Sequence, residues 1–158
     1  GAKLVRGAYM EKERQRAEEM GYPSPIQDSK EASDRDFDAA VALCMNAVDQ
    51  VSFMAGTHNE NSCRKLVELM KEKQIAPGDK RIYFGQLLGM SDNISFNLAY
   101  KGYRVAKYVP YGPVKAVLPY LFRRAQENTA ISGQMGRELK LIREELQRRK
   151  GLRSPGRS

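Results

Sequence analysis

The sequence contains two cysteines, one histidine and no long apolar run. A membrane-spanning helix needs about 20 apolar residues in succession, so none is expected. Cys44 and Cys63 lack metal-ligand spacing and fall in helical patterns, which favours reduced thiols and a reducing compartment over a disulfide. Residues 1–6 carry neither a secretory apolar segment nor an amphipathic transit segment. Because they begin directly with strand-like sequence, we expect a cut or engineered start.

Positive charge is concentrated towards the end of the chain. The net charge is +8, and residues 130–158 hold eight Lys or Arg against three Glu. Such a segment is compatible with binding to nucleic acid or to an anionic membrane surface. Aromatic residues, on which bases stack, are absent from this segment. A solvated helix is therefore favoured, no nucleic-acid partner is expected, and peripheral membrane contact is left open.

Short β-rich runs alternate with longer helical patterns along the chain. The predicted strands are Lys3–Arg6, Val51–Ala55, Ile82–Leu87 and Tyr103–Val109. The predicted helices are Met10–Met20, Asp34–Gln50, a helix capped by Asn59 that ends near Lys73, Ser91–Lys101, Gly112–Asn128 and Gly136–Lys150. Pro119 should kink the helix over 112–128, or delay its regular part to about Leu118.

Strands that alternate with helices indicate α/β architecture with parallel βα units. Such units form either an open doubly wound sheet or part of a closed (β/α)8 barrel. No Gly-x-Gly-x-x-Gly motif follows a predicted strand, so a nucleotide-binding open sheet has little support. A complete barrel needs about 250 residues, so we expect the second half of a TIM-like barrel at residues 1–130. An extra basic C-terminal helix at 131–150 and a disordered tail at 151–158 should follow.

Polar and aromatic residues stand where each predicted strand ends. The first strand leads into Arg6-Gly7-Ala8-Tyr9, the second into Thr57-His58-Asn59, the third ends at Gln86 and the fourth at Tyr108. In a barrel, the carboxyl ends of the strands and the loops after them carry the functional residues. The sequence therefore predicts a site at this edge of the sheet.

Four segments resemble the proline dehydrogenase family, in the order of its C-terminal half. They are Lys-Leu-Val-Arg-Gly-Ala-Tyr at 3–9, Gly-Thr-His-Asn at 56–59, Phe-Gly-Gln-Leu-Leu-Gly-Met at 84–90, and Tyr-Val-Pro-Tyr-Gly with Arg-Arg-Ala-Gln-Glu-Asn within 108–128. The resemblance covers roughly residues 3–130. It implies an FAD-dependent barrel that oxidises L-proline to Δ1-pyrroline-5-carboxylate and passes electrons to a quinone. In eukaryotes this implies the matrix side of the mitochondrial inner membrane.

The resemblance assigns substrate binding to four residues, and helix spacing adds Tyr120 as a fifth. Arg123 and Arg124 would hold the proline carboxylate, which fits because a guanidinium binds a carboxylate through two parallel hydrogen bonds. Tyr120 shares neighbouring helix faces with them. Tyr108 would pack on the pyrrolidine ring, and Leu88 would supply apolar surface. The alternatives are surface arginines for the pair, a buried strand tyrosine for Tyr108 and barrel-core packing for Leu88.

The resemblance assigns cofactor contacts to the strand-end segments. Lys3 would lie near the reactive flavin nitrogen, at a position that is often arginine in bacterial members, and Gln86 would hydrogen-bond the isoalloxazine ring. Glu127 would contact the flavin, the alternative being a helix salt bridge to either arginine. The remaining residues implied in FAD binding are Arg6, Gly7, Ala8, Tyr9, Thr57, His58 and Asn59. A structural histidine is the alternative for His58.

The family also uses a lysine, an acidic residue and flavin contacts from earlier strands, which have no counterpart in this sequence. We therefore expect the chain to be one piece of a longer protein, inactive unless the N-terminal half of the same barrel is supplied. Two other functions stay open. Hydroxyproline dehydrogenase is one, although the matching residue there is a small serine and Tyr108 favours proline. A basic interaction module is the other.

Overall fold

The structure, a computed structural model, describes residues 1–7, 9–130, 140 and 142–149, with side chains in the helix over 114–130 described as far as Phe122. The chain divides into two compact units, Gly1–Tyr108 and Val109–Ser158. The strands are Ala2–Leu4 (β1), Phe53–Gly56 (β2), Ile82–Leu87 (β3) and Val105–Tyr108 (β4). The helices are Met10–Met20 (α1), Lys30–Asn46 (α2), Glu60–Glu72 (α3), Asp92–Tyr100 (α4) and Val114–Ala130 (α5).

The first unit contains a four-stranded parallel sheet in which the strands follow chain order, β1-β2-β3-β4. Each strand pairs with the next along the chain, for example Gly56 with Gly85 and Leu87 with Tyr108. Parallel neighbours joined by helices are the arrangement of a βα-repeat protein. The predicted α/β class with parallel units is confirmed.

The core of this unit lies between one face of the sheet and the helices. Helix α2 contributes Phe37, Val41 and Met45, α3 contributes Leu66 and Met70, and all five are buried. From the sheet, the alternate residues Phe53, Ala55, Ile82 and Phe84 face them. Alternate strand residues point to opposite faces, so the residues between these four point to the other face of the sheet, away from the core.

Several element bounds differ from the sequence prediction. Helix α2 begins at Lys30 rather than Asp34, because the Ser29 side chain accepts a hydrogen bond from the Ala32 amide and caps an earlier turn. Helix α5 begins at Val114, two residues after the predicted start at Gly112, and its regular part is not delayed to Leu118, because the Pro113 carbonyl accepts from Ala116 and Val117 and closes the first turn. Pro119 is accommodated inside this helix.

Residues 140 and 142–149 are helical, within the predicted C-terminal helix. The predicted domain limits at 130 and 150 adjoin residues outside the described part, and the predicted tail lies outside it, so these boundaries stay predictions. Among the described residues, no helix is both long enough and apolar enough to cross a membrane.

Candidate functional site

The carboxyl ends of the four strands bring the loops after β1, β2 and β3 to one edge of the sheet. Lys3 on β1, Met54 on β2 and Tyr108 on β4 share the face opposite the core, as the register requires. The Lys3 Nζ lies 5.4 Å from the centroid of the Tyr108 ring. Lys3 is in register with Met54 and Tyr83, whereas Tyr108 pairs with Leu87, four residues further along β3. In a flat sheet this offset and three strand spacings would separate the two Cα atoms by about 19 Å, so the contact indicates a concave face. Tyr108 is 48% exposed there.

Arg6 anchors the loop after β1 to three other segments. Its guanidinium donates to Asp34 Oδ1 at 2.5 Å, to Thr57 Oγ1 at 2.5 Å and to Ser62 Oγ at 3.0 Å. The same group lies 4.3 Å from the Phe37 ring centroid, within the range of a cation–π contact. Arg6 therefore fixes the position of Gly7 relative to α2, β2 and α3.

The segment 57–59 links β2 to α3 through a local hydrogen-bond pattern. The Thr57 hydroxyl accepts from the Asn59 amide at 3.0 Å, and the Asn59 side chain accepts from Asn61 and Ser62. Asn59 is thus the N-cap predicted from the sequence. His58 lies between these two residues, and its Nδ1 is 2.9 Å from Ser91 Oγ in the loop after β3. The loops after β2 and β3 are joined by this bond.

Gln86 lies on the face of β3 that the helices cover, whereas Tyr108 lies on the concave face of the sheet. It is 3% exposed, its Nε2 donates to the Thr57 carbonyl at 3.3 Å, and its Oε1 accepts from Ser95 of α4 at 3.0 Å. Gln86 thus connects β3 with α4 and with the end of β2. The structure does not bring Gln86 together with Lys3, and its contact with the flavin ring stays a prediction.

The loop after β3 carries Leu88, which is 59% exposed and whose amide donates to the Tyr108 carbonyl at 3.0 Å. Lys107 holds this loop: its Nζ donates to the Met90 carbonyl at 2.6 Å and to Asp92 Oδ1 at 2.7 Å. Leu87, the strand residue paired with Tyr108, lies on the concave face beside it. Leu88 therefore lies next to the predicted substrate position without being part of the strand.

The predicted carboxylate pair belongs to the second unit. Arg123, Arg124 and Glu127 lie in α5, but the described side chains of this helix end at Phe122. Tyr120, in the same helix, is half-buried. Ala8 lies outside the described residues. The assignments of these residues stay predictions.

The described residues fit an anionic, planar cofactor in charge and in free space. Lys3 supplies a cation beside an exposed ring, and His58 is half-buried at the same edge. Gly7 and Gly89 adopt left-handed conformations with φ 71° and 76°, and a Cβ on either would meet no heavy atom within 4 Å. Such glycines let a ligand approach the backbone closely. Tyr9, after Gly7, also has a positive φ of 58° and is 71% exposed.

The environment of Cys63 does not fit a nucleophilic role. Burial raises the pKa of the Cys63 thiol to about 12, with Arg6 opposing this shift. A thiol with such a pKa stays protonated at neutral pH and is a poor nucleophile. Both cysteines are free, as predicted, and Cys44 is half-buried on α2.

Four residues at the site were missed by the sequence prediction: Asp34, Leu87, Ser91 and Lys107. Strand residues alternate between the two faces of a sheet, and Ile82 and Phe84 face the helices. The same alternation predicts Gln86 on the helix-covered face and Leu87 on the opposite face. The other three act through partners 15 to 33 positions away. No local pattern encodes contacts at that separation.

Comparisons with known proteins agree with this architecture. The family model described as proline dehydrogenase matches residues 1–137. Human proline dehydrogenase 1, mitochondrial, is 47% identical over 94% of this chain and 25% of its own length. Hydroxyproline dehydrogenase from Xenopus laevis is 43% identical over 94% of this chain and 33% of its own length. The chain thus spans about a quarter to a third of these curated relatives.

A solved structure gives the same fold. Proline utilization A (PutA) from Bdellovibrio bacteriovorus, inactivated by N-propargylglycine, superposes with a TM-score of 0.73 at 28% identity. The match covers 80% of this chain and 13% of that one. The predicted TIM-like barrel class is confirmed by this similarity. The chain belongs to the proline dehydrogenase family, and its parallel βα units are of the kind that builds that family's barrel.

Proposed function

We propose that this chain forms part of an FAD-dependent proline dehydrogenase, which oxidises L-proline to Δ1-pyrroline-5-carboxylate and passes the electrons to a quinone. The observation that carries the proposal is the convergence of Lys3 and Tyr108 on the concave face, 5.4 Å apart, at the carboxyl ends of parallel strands. Family membership supports the same activity. When bound, FAD supplies the two-electron acceptor for oxidation of the proline C–N bond.

In this proposal, the residues of this chain bind and orient the cofactor and the substrate. Lys3 favours negative charge beside the flavin nitrogen, although an ammonium lacks the planar fork of an arginine. The loop held by Arg6 presents Gly7 to the cofactor phosphates, with Ala8 and Tyr9 flanking it. Thr57, His58 and Asn59 contribute the adjacent end of β2 and the start of α3, while Gln86 and Glu127 are proposed as further flavin contacts.

Substrate recognition in this proposal separates the two ends of proline. Arg123 and Arg124 bind the carboxylate, with Tyr120 beside them, whereas Tyr108 and Leu88 contact the pyrrolidine ring. A phenol at position 108 leaves little room for a ring hydroxyl. We therefore propose L-proline over hydroxyproline as the substrate, consistent with the higher identity to the human proline enzyme than to the Xenopus hydroxyproline enzyme.

The test is Arg124→Met in the full-length protein that carries this chain. Loss of a charged hydrogen bond should raise the KM for proline about tenfold to a hundredfold, while the amount of bound flavin is unchanged. Lys115→Met, which removes an exposed cation from the same helix, is the matched control and should leave the KM near the wild-type value.

An unchanged KM in Arg124→Met would remove the carboxylate assignment. A protein that purifies without flavin and cannot be reconstituted with FAD would contradict the cofactor. Rates with proline and with trans-4-hydroxyproline, measured in the same assay, decide between the two dehydrogenases.

The remaining partners follow from the family. We propose that the N-terminal half of the same barrel completes the site. The names of the human and other relatives support a mitochondrial location, and a quinone acceptor would place the protein on the matrix side of the inner membrane. Peripheral contact of the basic C-terminal segment with that membrane belongs to the same proposal.

A further inference from the structure

Ser91 occupies the N-cap position of α4 but does not act as a cap. An N-cap serine normally has an extended backbone, and its hydroxyl accepts a hydrogen bond from the first turn. Ser29 does this for α2, with φ −137° and ψ 160°. Ser91 instead has φ 53° and ψ 42°, and its side chain makes no capping hydrogen bond. A left-handed conformation costs free energy in any residue other than glycine.

The helix does not need the hydroxyl of Ser91, because the backbone closes its first turn. The Ser91 carbonyl accepts from the amides of Ile94 at 3.0 Å and Ser95 at 3.1 Å. The hydroxyl lies instead 2.9 Å from His58 Nδ1, on a residue that is only 2% exposed. A hydrogen bond at one ring nitrogen fixes the rotation of a histidine and the direction in which the other nitrogen points.

Contacts on both sides of Ser91 hold its unfavourable backbone in place. Lys107 Nζ donates to the carbonyl of Met90, the preceding residue, and to the carboxylate of Asp92, the following one. Strained conformations persist where the surroundings determine them from several directions, and they occur preferentially at functional sites. The backbone strain therefore accompanies the placement of the hydroxyl against His58.

We propose that Ser91 is a positioning residue that orients His58 towards the phosphate or ribose of the bound FAD. This inference rests on the proposed function, since it takes His58 as a cofactor contact. Ser91 itself is not assigned any contact with the cofactor. Its effect on FAD binding passes through the imidazole ring.

The experiment uses the full-length protein and measures two quantities: the FAD dissociation constant, by flavin fluorescence, and the melting temperature of the FAD-free form, to which FAD binding does not contribute. Ser91→Ala and Ser91→Gly should each raise the dissociation constant about 3- to 10-fold, the worth of one hydrogen bond. Ser91→Gly should keep the wild-type melting temperature or exceed it, because glycine accepts the left-handed backbone. A purely structural role for Ser91 would leave FAD affinity unchanged in Ser91→Gly.

Ser29→Ala is the matched control. It removes a serine hydroxyl that does cap its helix, so it should lower the melting temperature and leave the FAD dissociation constant unchanged. Ser91→Gly and Ser29→Ala are therefore expected to have opposite patterns in the two measurements.

His58→Ala separates this inference from the proposed function. It should weaken FAD binding, and adding Ser91→Ala to it should have no further effect, since residues acting as a unit are non-additive. A Ser91→Ala effect that persists without His58 would overturn the positioning role alone. Unchanged FAD affinity in His58→Ala would overturn the cofactor assignment of His58 and, with it, this inference.

Discussion

Arg6 connects the end of β1 with α2, β2 and α3 through one guanidinium. A planar group with several fixed N–H donors suits this role better than a lysine ammonium, which is a compact point charge. The Arg6 side chain is 18% exposed and that of Asp34 is 26% exposed, so their ion pair is partly shielded from water. Asp34 also binds Lys30, one turn earlier on α2. The loop predicted to approach the cofactor phosphates thus starts from a fixed point.

Asp34→Asn should lower the free energy of unfolding by about 1–2 kcal/mol, because it leaves the Arg6 guanidinium without its anionic partner. Asp49→Asn is the control, since it removes a carboxylate from another arginine ion pair, to Arg81, where the Asp49 side chain is 90% exposed. Its effect should be below about 0.5 kcal/mol. Urea unfolding monitored by circular dichroism measures the free energy of unfolding of both variants. Equal decreases in the two variants would show that the Arg6–Asp34 ion pair stabilises the protein no more than the exposed Arg81–Asp49 pair.

The sequence predicted residues whose role depends on near neighbours. Asn59 was expected to cap α3, and its side chain does accept from the first-turn amides. Ser91 was expected at the start of α4, yet neither its left-handed backbone nor its bond to His58 could be anticipated, because both depend on Lys107 and on a loop 33 residues away. Gln86 was assigned to the flavin, and its placement beneath α4 depends on which strand face the helices cover.

At the scale of elements, helix ends were predicted best where a residue has a local reason to stop or start the helix. Helix α1 ends at Met20 as predicted, because Gly21 takes the left-handed C-cap conformation and Pro23 and Pro25 follow. The strand bounds were shifted by one to two residues in three of four cases. A strand extends only as far as its neighbour offers hydrogen-bond partners, so its length cannot be predicted from its own residues alone.

Gly56 on β2 and Gly85 on β3 are register partners. A side chain added at either position would contact a different neighbour. A Cβ at position 56 would lie 3.0 Å from Cγ1 of Val5 and 3.1 Å from the Leu4 carbonyl oxygen, which belongs to the backbone of β1. A Cβ at position 85 would lie 2.8 Å from the sulfur of Met54, near the end of a flexible side chain. A side chain at position 56 would therefore push β1 away from β2. A side chain at position 85 could be accommodated by moving Met54, without separating β2 from β3.

Gly56→Ala should lower the free energy of unfolding by about 1–3 kcal/mol, as overpacking does when backbone must move. Gly85→Ala should cost less, because Met54 can adopt another rotamer. The double variant with Met54→Ala should remove most of the Gly85→Ala cost, whereas the same partner change should not help Gly56→Ala. Thermal denaturation of these four variants and of Met54→Ala alone checks this, and a larger loss for Gly85→Ala would contradict it.

At the scale of the whole molecule, β1 and β4 are the outer strands of the sheet within the described residues. Each pairs there with a single neighbour, and the concave face carries Lys3 and Tyr108. Parallel sheets are stable when both faces and both edges are covered. The proposed completion by an N-terminal half supplies that cover.

Mixing this chain with the complementary N-terminal half should produce a complex that retains FAD through gel filtration. The chain alone should not retain it, because the proposed flavin contacts of the earlier strands are then absent. The absorption spectrum of the eluted protein and proline-dependent dye reduction measure the outcome. Retained FAD together with proline-dependent reduction by the chain alone would show that the other half is not required.

The order of the strands also affects how the chain acquires its structure. Since spatial order equals chain order, every strand docks on the one made just before it, and no segment has to pass between strands already joined. During synthesis, β2 can pair with β1 as soon as β2 itself has emerged, long before α5 exists. Assembly can therefore proceed one βα unit at a time, with the loop contacts of Arg6 and His58 closing as each successive unit arrives.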